Sequence, residues 1–245
     1  MKILQGMNVS TSYNTRVIHD SVSWSVNQAE IYGFLGGSGS GKTTLMKTMM
    51  SLKRPDSGKV LYDNKDMWNS SEKTRQDIRL ECGTMFQFGA LFGSMNILDN
   101  VGIMLKEYSK FTQAQIDEIS HFWIQKVGLK KESAWLYPAE LSGGMKKRAA
   151  LARALVLSPR VLFLDEPNSG LDPVSSRQMD ALVCQLRDTL GLSVVMVTHD
   201  ADSIFDILDR FLIIENKKIA FEGNIAELEK LEHNPLEELF KTRKK

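Results

Sequence analysis

An α/β fold is predicted, with a mostly parallel central sheet, an antiparallel β subdomain and a helical subdomain. Three observations carry it. Residues 31–35, 161–164 and 193–198 are short, almost unbroken apolar runs of the length and composition of strands buried on both faces, and helix-forming stretches alternate with them. The opening segment instead alternates, with Val22, Trp24 and Val26 on one side and Ser21, Ser23 and Ser25 on the other, the pattern of a half-buried antiparallel strand. Between them, the region from about 96 to 137 is helical by pattern.

The run at 31–35 leads into Gly36-Gly37-Ser38-Gly39-Ser40-Gly41-Lys42-Thr43, and a helix is predicted over 44–50. This fits the G-x-x-x-x-G-K-[ST] phosphate loop, whose backbone N–H groups wrap phosphates while a helix N-terminus faces them. Lys42 would reach the β- and γ-phosphates of a nucleotide, and Thr43 would ligate Mg²⁺. Gln87, after residues 83–86, is a neutral amide able to contact Mg²⁺ and the attacking water; by itself it is an ordinary loop residue.

In the helical region Thr112 and Gln115 form a capping box, and Ile116, Ile119, Trp123 and Val127 share one face before Gly128. The neighbouring aromatics Phe122 and Trp123 are expected to pack in the core. Ser142 is a good N-cap for a helix over 145–157 that Ser158-Pro159 stops, and its glycine-rich start is an anion site.

The run 161–164 ends in two acids at the carboxyl end of a central strand, where α/β folds bind ligands. Asp165 is the candidate for the Mg²⁺ shell and Glu166 for the general base that polarises water. Asp172-Pro173 starts and Gly191 ends the next helix. Residues 193–198 then deliver His199 to the same edge, within reach of a γ-phosphate; alone, such a histidine is more often a satisfied loop residue. Residues 211–214 and 218–221 flank Glu215-Asn216-Lys217 as a hairpin. The basic end at 241–245 reads as a solvated terminus, with an anionic membrane surface or the dimer as other uses.

Composition narrows the partners. At 245 residues the chain has room for one catalytic domain with a smaller lobe, and 31 Lys and Arg against 30 Asp and Glu leave a net charge of +1, which disfavours nucleic acid. Cys82 and Cys184 lack metal-type spacing and read as reduced thiols. There is no secretory-type apolar stretch and no window near ~18 uninterrupted apolar residues. If the protein moves a substrate across a bilayer, it is expected to do so by driving a separate permease.

With these residues in place, the chain resembles the nucleotide-binding subunits of ABC transporters over nearly its whole length. The phosphate loop is 36–43, the glutamine loop is at Gln87, and the signature motif is Leu141-Ser142-Gly143-Gly144-Met145. The second acidic motif ends at Asp165-Glu166, Ser169-Gly170-Leu171-Asp172 is similar to the D-loop, and His199 to the switch histidine. The resemblance implies a P-loop NTPase of ABC type spanning 1–245 as one domain, with a helical subdomain near 96–157 and a C-terminal extension from about 224 to 245. It implies an ATPase in which Lys42, Gln87, Glu166 and His199 are catalytic and Thr43, Gln87 and Asp165 hold Mg²⁺. ATP would meet Tyr13, residues 36–43, Thr44 and, from a second copy of the chain, Ser142, Gly143 and Gly144. Tyr13 would stack on adenine; by composition it is equally a surface strand aromatic.

A narrower resemblance lies in 89–101 and in 142–154, where Met145 follows the glycines at a position most nutrient importers fill with Gln. These are similar to the Mla/Mce-type branch, ATPases that energise phospholipid traffic between the membranes of Gram-negative bacteria. Asn168 departs from the family's commoner Thr or Phe. The resemblance implies a homodimer through the nucleotide sites at the cytoplasmic side of the inner membrane, peripheral, with an integral permease, an Mce-type lipid-binding subunit and a small accessory subunit. Residues 88–101 would receive the permease or form a buried connector between lobes. The alternatives are an ABC ATPase for an amino acid, peptide or lipopolysaccharide, and a scaffold ABC ATPase without a channel.

Overall fold

The strands divide between two sheets. In chain order they are β1 (Lys2–Tyr13), β2 (Arg16–Asn27), β3 (Ile31–Gly36), β4 (Ser57–Tyr62), β5 (Lys65–Asp66), β6 (Cys82–Met85), β7 (Val161–Asp165), β8 (Ser193–Val197), β9 (Arg210–Glu215) and β10 (Lys218–Gly223). The structure is a computed structural model that describes residues 1–236. One sheet has the order β10-β9-β3-β8-β7-β6, parallel except for β10 at its edge. The other, β2-β1-β4-β5, is antiparallel.

The pleat explains why the central strands read as unbroken apolar runs. Side chains alternate across a sheet, so Ile31, Leu35, Leu162, Leu164, Val194 and Met196 enter one buried cluster while Tyr32, Phe34, Val161, Phe163, Val195 and Val197 enter another on the opposite face. Each fully buried side chain of this kind contributes about 1.5–3 kcal/mol relative to exposure. The small sheet supplies Ile3, Leu4, Val22, Trp24 and Val26 to the second cluster, with Leu45, Met46 and Met49 from α1 (Lys42–Met49). The alternation at 21–26 is therefore a face packed on the core and a face turned away.

The remaining helices are α2 (Glu72–Leu80), α3 (Ile97–Tyr108), α4 (Gln113–Lys126), α5 (Gly143–Leu155), α6 (Pro173–Leu190), α7 (Ala201–Asp206) and α8 (Ile225–Leu228). Thr112 and Gln115 make the capping box at α4, Asp172 caps α6, and Gly191 ends it at φ 65. α5 begins two residues earlier than the sequence suggests, because Ser142 accepts from the Met145 N–H and draws both glycines into the first turn. α3, α4 and α5 pack together over the first cluster. None of the described helices is long and apolar enough to cross a membrane.

One core expectation is wrong. Trp123 is buried, but Phe122 is 56% exposed and touches Trp123 edge-on from outside, since adjacent helical residues point about 100° apart and only one can face the core. The segment 88–101 divides: Gly89, Ile97, Leu98, Asn100 and Val101 are buried, whereas Phe88, Ala90, Phe92, Gly93 and Ser94 are exposed. The basic run 241–245 lies outside the described residues.

Candidate active site

Strand order assembles the site. β3, β8, β7 and β6 are successive neighbours, so the residues that follow them share one edge: the phosphate loop after β3, His199 after β8, Asp165 and Glu166 at the end of β7, and Gln87 after β6. Glu166 is where they meet. Its Oε2 accepts from Gln87 Nε2 at 2.8 Å, and its Oε1 lies 3.1 Å from His199 Nδ1, which donates to the carboxylate. Its own N–H donates to the Val197 carbonyl at 2.8 Å. Glu166 has φ 50, a region that costs a non-glycine residue about 1–3 kcal/mol, so the backbone here is held rather than relaxed.

The glycine-rich loop leads from β3 into α1, which begins at Lys42, two residues before the helix expected from the sequence. The Lys42 ammonium donates to the carbonyls of Gly36 (2.8 Å) and Gly37 (3.0 Å) across the loop. Gly41 precedes α1 at φ 103, and a Cβ there would come within 2.5 Å of His19 Nε2 and 2.6 Å of Ile18 Cγ2. Gly36, Gly37, Ser38, Gly39, Ser40, Gly41, Lys42, Thr43 and Thr44 form one continuous turn into the helix, and most of them, with Arg16, Ile18, Glu166 and His199, line a cavity of about 490 Å³. Asp165 is buried; desolvation foremost, then the Glu166 charge, raises its carboxyl, against the pull of Lys42 and Lys47.

Hard oxygen donors suit Mg²⁺, which keeps waters and phosphate oxygens and needs few protein ligands. The Thr43 hydroxyl, the Gln87 amide and the Asp165 carboxylate are oxygen donors of this kind, and among the described residues no cluster of three or more His, Cys, Asp or Glu could hold a metal. Tyr13 does not line this cavity; it is 48% exposed and paired across the β1–β2 turn with Arg16, with the Lys53 ammonium 4.2 Å from its ring centre.

The signature residues are not part of this assembly within the chain. Ser142 and Gly143 are exposed, and a Cβ on Gly144 would meet only Leu171. None of Ser142, Gly143 or Gly144 lines the cavity around the phosphate loop.

The ABC transporter family model matches residues 19–169. The chain belongs to the ABC transporter ATPases. It is 35% identical over 226 residues to the intermembrane phospholipid transport system ATP-binding protein MlaF of Haemophilus influenzae, covering 92% of this chain and 85% of that one. It is 36% identical to a probable ribonucleotide transport ATP-binding protein, mkl, of Mycobacterium leprae, over 88% of this chain and 62% of that longer one. Among solved structures, the dimeric ATP-binding cassette MJ0796 bound to ADP and Pi superposes with a TM-score of 0.82 at 25% identity, covering 91% of this chain and 98% of that one.

As an ABC ATPase the chain carries several residues that no sequence motif announced. Arg16 and Ile18 line the phosphate cavity because the β1–β2 hairpin lies over the loop. Asn168, the departure from the family pattern, is buried and donates to Asp180 Oδ1 and Ser203 Oγ, each at 2.8 Å, joining the D-loop region to α6 and α7. Lys147 on α5 donates to the Glu166 carbonyl at 2.9 Å.

His19 lies fully buried beneath Gly41, with Nδ1 2.7 Å from Thr11 Oγ1, and burial lowers its pKa from 6.5 to about 4. The unfolded chain therefore binds a proton between those values that the folded chain does not. Stability from this group is complete above pH 6.5 and is lost as the pH falls toward 4; about 2.5 units at ~1.36 kcal/mol each gives about 3 kcal/mol. In denaturant titrations His19→Leu should lose less stability than the native chain between pH 7 and pH 4.5. Equal losses would remove His19 from the acid response.

Proposed function

We propose that this chain is the ATP-hydrolysing subunit of a phospholipid transporter acting between the inner and outer membranes, bound peripherally to the cytoplasmic side of the inner membrane. The cargo reading rests on the likeness to MlaF, and the catalytic reading on one observation: the Glu166 carboxylate is held between Gln87 and His199 at the mouth of the phosphate cavity. Residues 1–245 act as a single ABC domain, with 96–157 as its helical subdomain and 224–245 as a C-terminal extension.

The geometry supports a role for each residue. Residues 36–44 present a loop and a helix start to the triphosphate, Lys42 exchanges loop carbonyls for phosphate oxygens, and Tyr13 offers its ring to adenine. Thr43, Asp165 and Gln87 would hold Mg²⁺, which would supply charge neutralisation at the phosphates. Glu166 takes a proton from water, while Gln87 and His199 fix its two oxygens.

The exposed Ser142, Gly143 and Gly144 serve the nucleotide of a second copy, so that two ATPs close a homodimer and hydrolysis reopens it. The motion reaches an integral permease at a groove of about 480 Å³ lined by Phe86, Ala90, Phe92, Ile103, Met104 and Leu157. Arg153 braces this wall by donating to the carbonyls of Gly89 (2.7 Å) and Ala90 (2.8 Å). An Mce-type lipid-binding subunit and a small accessory subunit complete the assembly, and nucleic acid has no part.

Mixing two inactive variants tests the shared seam. Lys42→Ala destroys a chain's own phosphate site and Ser142→Arg its contribution to the partner's, so each is expected to be inactive alone. A mixed dimer regains one intact site, and the mixture should hydrolyse ATP. A mixture no more active than its components would refute composite sites. For the cargo, vesicles holding the permease complex should pass a fluorescent phospholipid to acceptor vesicles only with hydrolysable ATP; ATP-independent transfer would sink the lipid assignment.

A further inference from the structure

Lys147 is a cation in an unfavourable place. It lies one turn into α5 and is only 7% exposed, and its ammonium donates to the main-chain oxygen of Glu166 at 2.9 Å. Burial lowers its pKa to about 8, with the Glu166 charge acting in the opposite direction. Among the described residues no carboxylate forms an ion pair with it. Dehydrating an ammonium costs several kcal/mol, which a single peptide oxygen offsets poorly, and an apolar side chain of similar volume would fill the space at less cost. Stability alone therefore gives no reason for a lysine here.

The acceptor supplies one. The Glu166 carbonyl also accepts the Ser169 N–H at 3.2 Å, closing the turn into the D-loop, and the residue that carries it is the left-handed one whose carboxylate is gripped by Gln87 and His199. The orientation of that peptide sets the direction of the carboxylate. Lys147 thus bonds to the backbone of the base from near the start of a helix whose N-terminus is the exposed Ser142 corner.

Building on the assignment of Glu166 as general base, we propose that Lys147 is a positioning residue that ties α5 to the Glu166 peptide, so that the base is aimed only when α5 is seated on the sheet beside β6. Lys147 lies five residues after Ser142 on this helix, about 7.5 Å of axial rise. A shift of α5 when its N-terminus meets the partner's nucleotide is delivered through one hydrogen bond to the chain's own carboxylate. Each site thereby reads whether its own chain has engaged the opposite one.

The test uses the full-length chain with Lys147→Met and Lys147→Arg. Lys147→Met should lower kcat by up to about 100-fold, the cost of displacing a catalytic group by about 1 Å, while KM and Kd for ATP hold. Lys147→Arg, which keeps a charged donor, should recover most of the loss. Without nucleotide, amide exchange across 166–172 should quicken in Lys147→Met and not in Lys147→Arg.

Wild-type kcat in Lys147→Met overturns the proposal. So does a joint fall in melting temperature, ATP affinity and kcat that arginine fails to rescue, which would make Lys147 a packing residue. Full turnover in Glu166→Gln would bring down the base assignment instead, so the two failures are told apart.

Discussion

Replacing Glu166 by Gln is expected to lower steady-state ATP hydrolysis by about 10²–10⁴-fold, the range a positioned general base supplies, and to leave ATP binding unchanged. The amide has the shape of the carboxylate, and its oxygen can accept from Gln87 Nε2 in place of Glu166 Oε2. Its NH₂ can donate to His199 Nδ1 if the ring takes the other tautomer, because a neutral imidazole offers one donor and one acceptor. The network therefore persists and only the basicity is lost. The residues that cradle phosphate, Lys42 and the loop before it, are untouched. Fluorescent-nucleotide titration and a phosphate-release assay on the same preparation separate binding from turnover. Full turnover would assign the base elsewhere; loss of binding would mean that Glu166 shapes the cavity instead.

Gly41→Ala is expected to raise the dissociation constant for ATP by up to about 100-fold. Gly41 has φ 103, where an L side chain is strained by about 1–3 kcal/mol, and 1.4 kcal/mol is a factor of ten in affinity. Space adds to strain, because the new methyl would press on His19 Nε2 at 2.5 Å and Ile18 Cγ2 at 2.6 Å. His19 is fully buried and tied to Thr11, so it has no room to retreat. The loop must shift, moving its N–H groups off the phosphates and the start of α1 with them. Shrinking the neighbour with His19→Ala should restore little, since the dihedral strain remains. Native affinity in Gly41→Ala, measured by calorimetry, would show that the loop tolerates a side chain at this position.

Much of this protein is written locally. The phosphate loop, the capped start of α5, the acids ending β7 and the Pro and Gly bounds of α6 are legible because each depends on residues adjacent in the chain: a turn needs its glycines, a cap its hydroxyl, a both-sides-buried strand its unbroken apolar run. The tertiary structure decided what those elements touch. Gln87 reaches Glu166 across 79 residues and Lys147 across 19, and each contact exists only because β6, β7 and α5 are packed as neighbours. Phe122 and Trp123 have the same hydrophobic appeal in sequence, yet α4 presents only Trp123 to the core.

Likewise, nothing around His19 says that Gly41 lies above it, and nothing around Asn168 says that Asp180 and Ser203 will receive its amide. Periodicity states which face of an element is buried. It does not state which neighbour covers that face, because the partner is chosen by the packing of all the elements at once.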